Sequence, residues 1–159
     1  MMTDCDAVIA LGNPFRADDG VGPTLLDRLG DRERPGVELV DLGDPGFRLI
    51  HVLADYSSVV IVDAVDFGAE PGTFEVFDPA ETETTRTDRS SHKTDVFELL
   101  EVTDAVGSQT TVRVFGVQPK SVDFGNELTD EVSAASQQGS RSTQEITEGV
   151  ADQLDTLSD

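Results

Sequence analysis

Two carboxylates stand side by side, Asp18-Asp19, inside the segment Leu11-Gly12-Asn13-Pro14-Phe15-Arg16-Ala17-Asp18-Asp19-Gly20-Val21-Gly22. A glycine-rich junction between a strand and a helix commonly cradles phosphate on backbone N–H groups. A doubled carboxylate repels anions, so this junction favours a cation or an electropositive group. A further metal-capable carboxylate, Asp63, directly follows the apolar run Val59-Val60-Ile61-Val62. His92 ends a polar, Ser/Thr-rich stretch and opens an apolar-periodic one. Asp19, Asp63 and His92 together would offer two oxygens and one imidazole nitrogen. That donor set suits a borderline divalent cation such as nickel or zinc more than calcium or magnesium.

Each of these residues also has a plainer reading. Asp18 or Asp19 could favour the N-terminus of the helix that follows. Asp63 could be a turn residue, with Asp66 equally available, and a single His in a polar loop is commonly just solvated. His51 falls within a helical pattern with no partner at ligand spacing and reads as structural. Ser90-Ser91-His92 is no triad, because adjacency in sequence says nothing about nucleophile–base geometry. Cys5 precedes the first strand and reads as small filler. There is no His-Glu-x-x-His, no Walker loop and no zinc-finger spacing, and the glycine-rich segment departs from the dinucleotide-binding pattern. Residue chemistry alone reaches a three-ligand metal site on an α/β domain.

The elements that must position these groups follow from periodicity. Residues 7–12 read as a buried strand, 21–30 as an amphipathic helix, and Val37-Glu38-Leu39-Val40 as a second, alternating strand. Asp44-Pro45-Gly46 is a turn with Pro45 suited to the first helical position; the helix after it sets Phe47, Leu49, Ile50 and Leu53 on one side. The run Val59–Val62 has the pattern of a strand buried on both faces, and 73–77 that of an edge strand. Residues 80–91 read as a loop, about 93–102 as a helix burying Val96, Leu99 and Leu100, and 111–115 as a strand. A helix begins at 128–135, breaks near Gln138-Gly139-Ser140, and resumes over 146–157. Strands alternating with helices predict a three-layer α/β fold: a mostly parallel, five-stranded twisted sheet flanked by helices on both faces. Residues 1–159 are expected to form a single domain, without internal repeat or dividing linker.

Composition narrows the partners. The chain has 159 residues, 32 acidic against 11 basic, for a formal net charge of −21. The acids are spread along apolar-periodic segments, which predicts a folded domain with a carboxylate-covered surface whose self-repulsion salt must screen. This is the expectation for a halophile's cytoplasm. Nucleic acid and anionic membranes are poor partners for such a surface. One cysteine excludes an intramolecular disulfide, the acidic N-terminus is unlike a signal peptide, and no apolar run approaches the ~20 residues that span a bilayer.

Taken together, the segments resemble the hydrogenase maturation proteases, endopeptidases that process the large subunit of nickel–iron hydrogenases. The resemblance lies in Gly12-Asn13-Pro14-x-x-x-Asp18-Asp19-Gly20-x-Gly22, then Val62-Asp63-Ala64-Val65-Asp66-Phe67-Gly68 with Pro71-Gly72-Thr73. Ser91-His92, Gly116-Val117-Gln118-Pro119 and Leu128-Thr129 follow in order. The resemblance implies that Asp19, Asp63 and His92 engage nickel and carry the catalysis, with Asp18 the nearby ambiguity. It implies one cleavage, which removes a C-terminal extension from the large-subunit precursor after nickel insertion, the nickel being supplied by that precursor. A monomer is the simplest expectation for a protein that accepts a large folded partner. The alternative is a nickel-sensing chaperone of hydrogenase assembly that binds the precursor without cutting it; a third reading is a metal-independent small-molecule hydrolase on a similar sheet, using Asp63 as base. Where the family commonly has a Gly-Thr-x-Gly-like turn, this chain has Gly43-Asp44-Pro45-Gly46, a loop expected to bear on substrate selection.

Overall fold

Val59-Val60-Ile61-Val62 has no polar side chain to show to water on either face, so it must sit where both faces of a sheet are covered. In the computed structural model, which describes residues 6–29, 37–78, 96–105, 107 and 109–137, this run lies within β3 (Ser58–Ala64) at the centre of a five-stranded sheet. The other strands are β1 (Asp6–Leu11), β2 (Val37–Gly43), β4 (Phe74–Phe77) and β5 (Thr111–Val117). Their order is β2-β1-β3-β5-β4. All neighbours pair in parallel except β4, an antiparallel edge strand on β5.

Parallel strands require crossovers, and α1 (Val21–Leu29), α2 (Arg48–Leu53) and α3 (Val96–Ala105) lie in them, while α4 (Asp130–Gln137) follows the last strand. Strand alternation sorts the core into two layers. Val8, Ala10, Val60, Val62, Phe115 and Val117 face Val21, Leu25 and Leu26 of α1 and Val132 of α4. Ala7, Ile9, Leu11, Val59, Ile61 and Val114 face Leu49 and Leu53 of α2 and Val96, Leu99 and Leu100 of α3. This is the predicted three-layer α/β architecture. Phe115 is fully buried at the middle of one layer, where truncation to Ala would cost about 3–5 kcal/mol.

Phe47 does not join the apolar side of α2 but stands 67% exposed, because the helix begins one residue later, at Arg48. Pro45 is not in the first helical turn either; its carbonyl accepts the Arg48 N–H, so it belongs to the preceding turn. Strands β2 and β5 run on to Gly43 and Val117. The loop over 80–91, the break near Gln138 and the helix over 146–157 lie outside the described residues. Among the described residues, no helix is long and apolar enough to cross a membrane.

Because four strands are parallel, the segments leaving them all emerge at one sheet edge, where open α/β sheets gather ligands. Backbone hydrogen bonds sew these segments together: Gly12 N–H to the Gly43 carbonyl at 2.9 Å, Val65 N–H to that of Val117 at 3.0 Å, and Ala17 N–H to that of Gly125 at 2.8 Å.

Candidate functional site

The turn after β1 is built around Gly12 and Asp19. Gly12 has φ +118°, and a Cβ there would lie 2.0 Å from the Asp19 carbonyl oxygen; only glycine permits that approach. Asn13 then holds the turn twice. Its side-chain oxygen accepts the Phe15 N–H at 2.8 Å, and its own N–H donates to Asp19 Oδ2 at 2.8 Å. Residues Ala17–Gly20 form a single buried 3-10 turn. Ala17 enters it at φ +49°, a left-handed conformation that costs a non-glycine residue about 1 kcal/mol or more, held in place by its hydrogen bond to Gly125.

The two adjacent carboxylates have different duties. Asp18 is completely buried. Its Oδ2 accepts the N–H of Lys120 at 2.8 Å, the N–H of Ser121 at 3.1 Å and the Thr129 hydroxyl at 2.7 Å. Its Oδ1 accepts the Thr129 N–H at 2.7 Å. A carboxylate so occupied anchors the segment after β5; it is a poor choice of ligand. Asp19, 3% exposed, is directed instead to the Asn13 side of the turn. The 3-10 turn also contacts β3, and Gly22 presses α1 onto the same corner: a Cβ there would meet the Leu11 and Val62 carbonyl oxygens at 2.6 and 2.8 Å.

Asp63 occupies the penultimate position of β3, opposite Gly116 of β5. It is 2% exposed, and its Oδ1 accepts the Ala64 N–H at 2.8 Å. The neighbouring candidate Asp66 is a turn residue. Its Oδ1 accepts Gln118 Nε2–H and the Gly68 N–H. Buried Gln118 is the organiser of this loop, since its Oε1 also accepts the N–H groups of Phe67 and Ala69. Gly116-Val117-Gln118-Pro119 therefore has a physical reason: the strand ends where the Gln side chain can supply the acceptor for the Phe67 and Ala69 N–H groups.

A cleft of about 320 Å³ opens beside Asp63. Its wall includes Leu11 and Asn13 from the first turn, Gly43, Asp44, Pro45 and Gly46 after β2, and Val96 and Leu99 of α3. Arg16 lines it too, a residue whose type and spacing gave no signal in the sequence. His92 and Cys5 lie outside the described residues, and His51 is exposed on α2. Among the described residues, no three His, Cys, Asp or Glu side chains are grouped as a metal site. Asp19 and Asp63 are thus two buried, hydrogen-bonded carboxylates at one edge of the sheet.

At the margin of the site, Lys120 and Glu131 form an exposed ion pair. The hydrogen bond and charge of Glu131 hold the Lys120 ammonium above its ordinary pKa, and those of Lys120 hold the Glu131 carboxyl below its own.

A family model described as hydrogenase maturation protease matches residues 23–156. Among curated relatives, a hydrogenase expression/formation protein from Azotobacter vinelandii is 30% identical over 133 residues, covering 80% of this chain and 64% of the relative. The chain thus spans less than two thirds of that relative's length. Among solved structures, a nickel–iron hydrogenase maturation protease from Thermococcus kodakarensis is 26% identical, with a TM-score of 0.68 over 94% of this chain and 98% of its own. The hydrogenase maturating endopeptidase of E. coli superposes with a TM-score of 0.71 at 23% identity, over 94% of this chain and 89% of its own, a likeness of fold.

Proposed function

Since the chain belongs to the hydrogenase maturation protease family, we propose that it is an endopeptidase that removes the C-terminal extension of a nickel–iron hydrogenase large-subunit precursor after nickel insertion. In this reading the precursor brings the nickel as part of the substrate, and Asp19, Asp63 and His92 engage it. The observation that carries the proposal is the burial of Asp19 and Asp63 at one sheet edge, with Asp63 on a cleft. Val96 and Leu99 on that cleft's wall follow His92 by only four and seven positions in the chain. Two carboxylates and an imidazole match the donor preference of a borderline divalent ion.

A cation held at this point can act as a Lewis acid, drawing electron density from the scissile carbonyl or lowering the pKa of a water. The chain's own part is positional. The Asn13 N–H and Ala64 N–H each fix one carboxylate oxygen of Asp19 and Asp63, which orients the second oxygen of each. Residues 43–46 form the wall on which precursors would be distinguished. The strongly acidic surface accords with a monomer working in a salt-rich cytoplasm, away from nucleic acid and membrane.

The test is to incubate nickel-loaded precursor with the protein and follow the mass of the large subunit. A shortened subunit is expected with nickel present and an unchanged one with nickel omitted. Stable binding with no shortening would contradict the protease reading and favour a nickel-sensing chaperone.

A further inference from the structure

Arg16 lines the cleft together with Asp63. It is held firmly: its N–H donates to the Asn13 carbonyl at 3.0 Å, its backbone bridges to Gly125, and its Nε donates to the Val122 carbonyl at 3.0 Å. In a chain with 32 acidic residues, Arg16 makes no ion pair among the described residues, and Nε is the only part of its guanidinium with a hydrogen bond among them. The guanidinium is a rigid fork of donors with no acceptor. Fixing it at Nε leaves the two terminal amino groups for another partner at the cleft.

The surroundings indicate which partner. Asp44 and Asp63 line the same cleft, so an anionic group would meet carboxylate repulsion there, whereas a neutral carbonyl oxygen would not. The loops also display apolar surface suited to a polypeptide. Phe15, immediately before Arg16, is 65% exposed, and Phe124, immediately before its bridge partner Gly125, is 94% exposed. Phenylalanine and arginine are both enriched at protein–protein interfaces.

We propose that Arg16 is a substrate-binding residue that receives a main-chain carbonyl oxygen of the precursor as its polypeptide enters the cleft, with Phe15 and Phe124 packing on side chains of the same segment. The proposal rests on the protease reading and adds to it a residue that reads the chain and not the metal.

The experiment compares wild type, Arg16→Gln and Arg16→Lys on nickel-loaded precursor, with cleavage and precursor binding measured separately and melting temperature as the check on folding. Arg16→Gln is expected to raise KM and Kd about tenfold while kcat stays within about twofold of wild type. Arg16→Lys is expected to stay weak, because it keeps the charge and loses the fork, and the salt dependence of binding should match that of wild type. Unchanged KM and Kd in folded Arg16→Gln would overturn the proposal. So would full rescue by Arg16→Lys with binding that weakens steeply in salt, which would mean an anionic ligand, or an equal loss in kcat, which would mean a structural role. Failure of the wild type itself to cleave, with variants still weaker in binding, would defeat the protease reading and leave Arg16's contact standing; failure of the wild type to bind would defeat both.

Discussion

Thr129 gives both its backbone N–H and its hydroxyl to the carboxylate of Asp18, at 2.7 Å each, across 111 residues of chain. The same carboxylate takes the N–H groups of Lys120 and Ser121. One buried side chain therefore closes the segment after β5 over the turn after β1. Asp18→Asn would turn an NH2 group toward donors that need an acceptor. It is expected to destabilise the fold by about 3 kcal/mol, read as a lower denaturant midpoint, whereas Asp19→Asn should cost about 1 kcal/mol. Equal losses would contradict the division of labour between these neighbours.

Gly22 sets how closely α1 approaches β1 and β3. A methyl there would collide with two backbone carbonyl oxygens, of Leu11 and Val62, and backbone cannot rotate away as a side chain can. Gly22→Ala is expected to cost about 1–3 kcal/mol by overpacking and to reduce cleavage more than Leu25→Ala at matched stability, since it shifts the turn bearing Asp19. Activity that tracks stability alone in both variants would contradict this.

The net charge of −21 predicts that melting temperature rises between low and molar salt as carboxylate repulsion is screened. The Lys120–Glu131 pair works against that trend only slightly, because it is exposed and itself screened. With Glu131 held below its ordinary pKa and Lys120 above its own, the pair's contribution is present at neutral pH. It is lost as pH falls through the folded-state pKa of Glu131 and again as pH rises through that of Lys120. Lys120→Met should therefore remove the small losses of stability at those acid and alkaline limits, and a melting temperature flat in salt would remove the halophile expectation.

His92→Ala is expected to abolish nickel-dependent processing while leaving the melting temperature within a few degrees, as for a solvated or ligating side chain. Processing that continues unchanged both in this variant and after nickel removal would instead identify a metal-independent hydrolase.

The sheet was legible because its signals are local. The Val59–Val62 run can satisfy its side chains only at a sheet centre, and the alternation in Thr111–Phe115 marks a face. What periodicity could not divide were choices settled by distant partners. Asp18 and Asp19 have the same chemistry until Lys120, Ser121 and Thr129 are placed around one of them. Asp63 and Asp66 differ only once Gln118 reaches across to the loop. Arg16 in a loop carries no sequence signal, since its placement depends on a backbone carbonyl at Val122, 106 residues away. The spacing of Phe47 matches a helix face, yet the helix starts after it.

The Asp63 carboxylate is the group proposed to meet the substrate's nickel. Asp63→Asn keeps the shape of the side chain and the acceptor for the Ala64 N–H while removing the charge. The direct measurement is single-turnover cleavage of nickel-loaded precursor by this variant beside its denaturant midpoint. That role predicts a stability within about 1 kcal/mol of wild type and a large subunit that stays full length. Cleavage at the wild-type rate by the folded variant would contradict it.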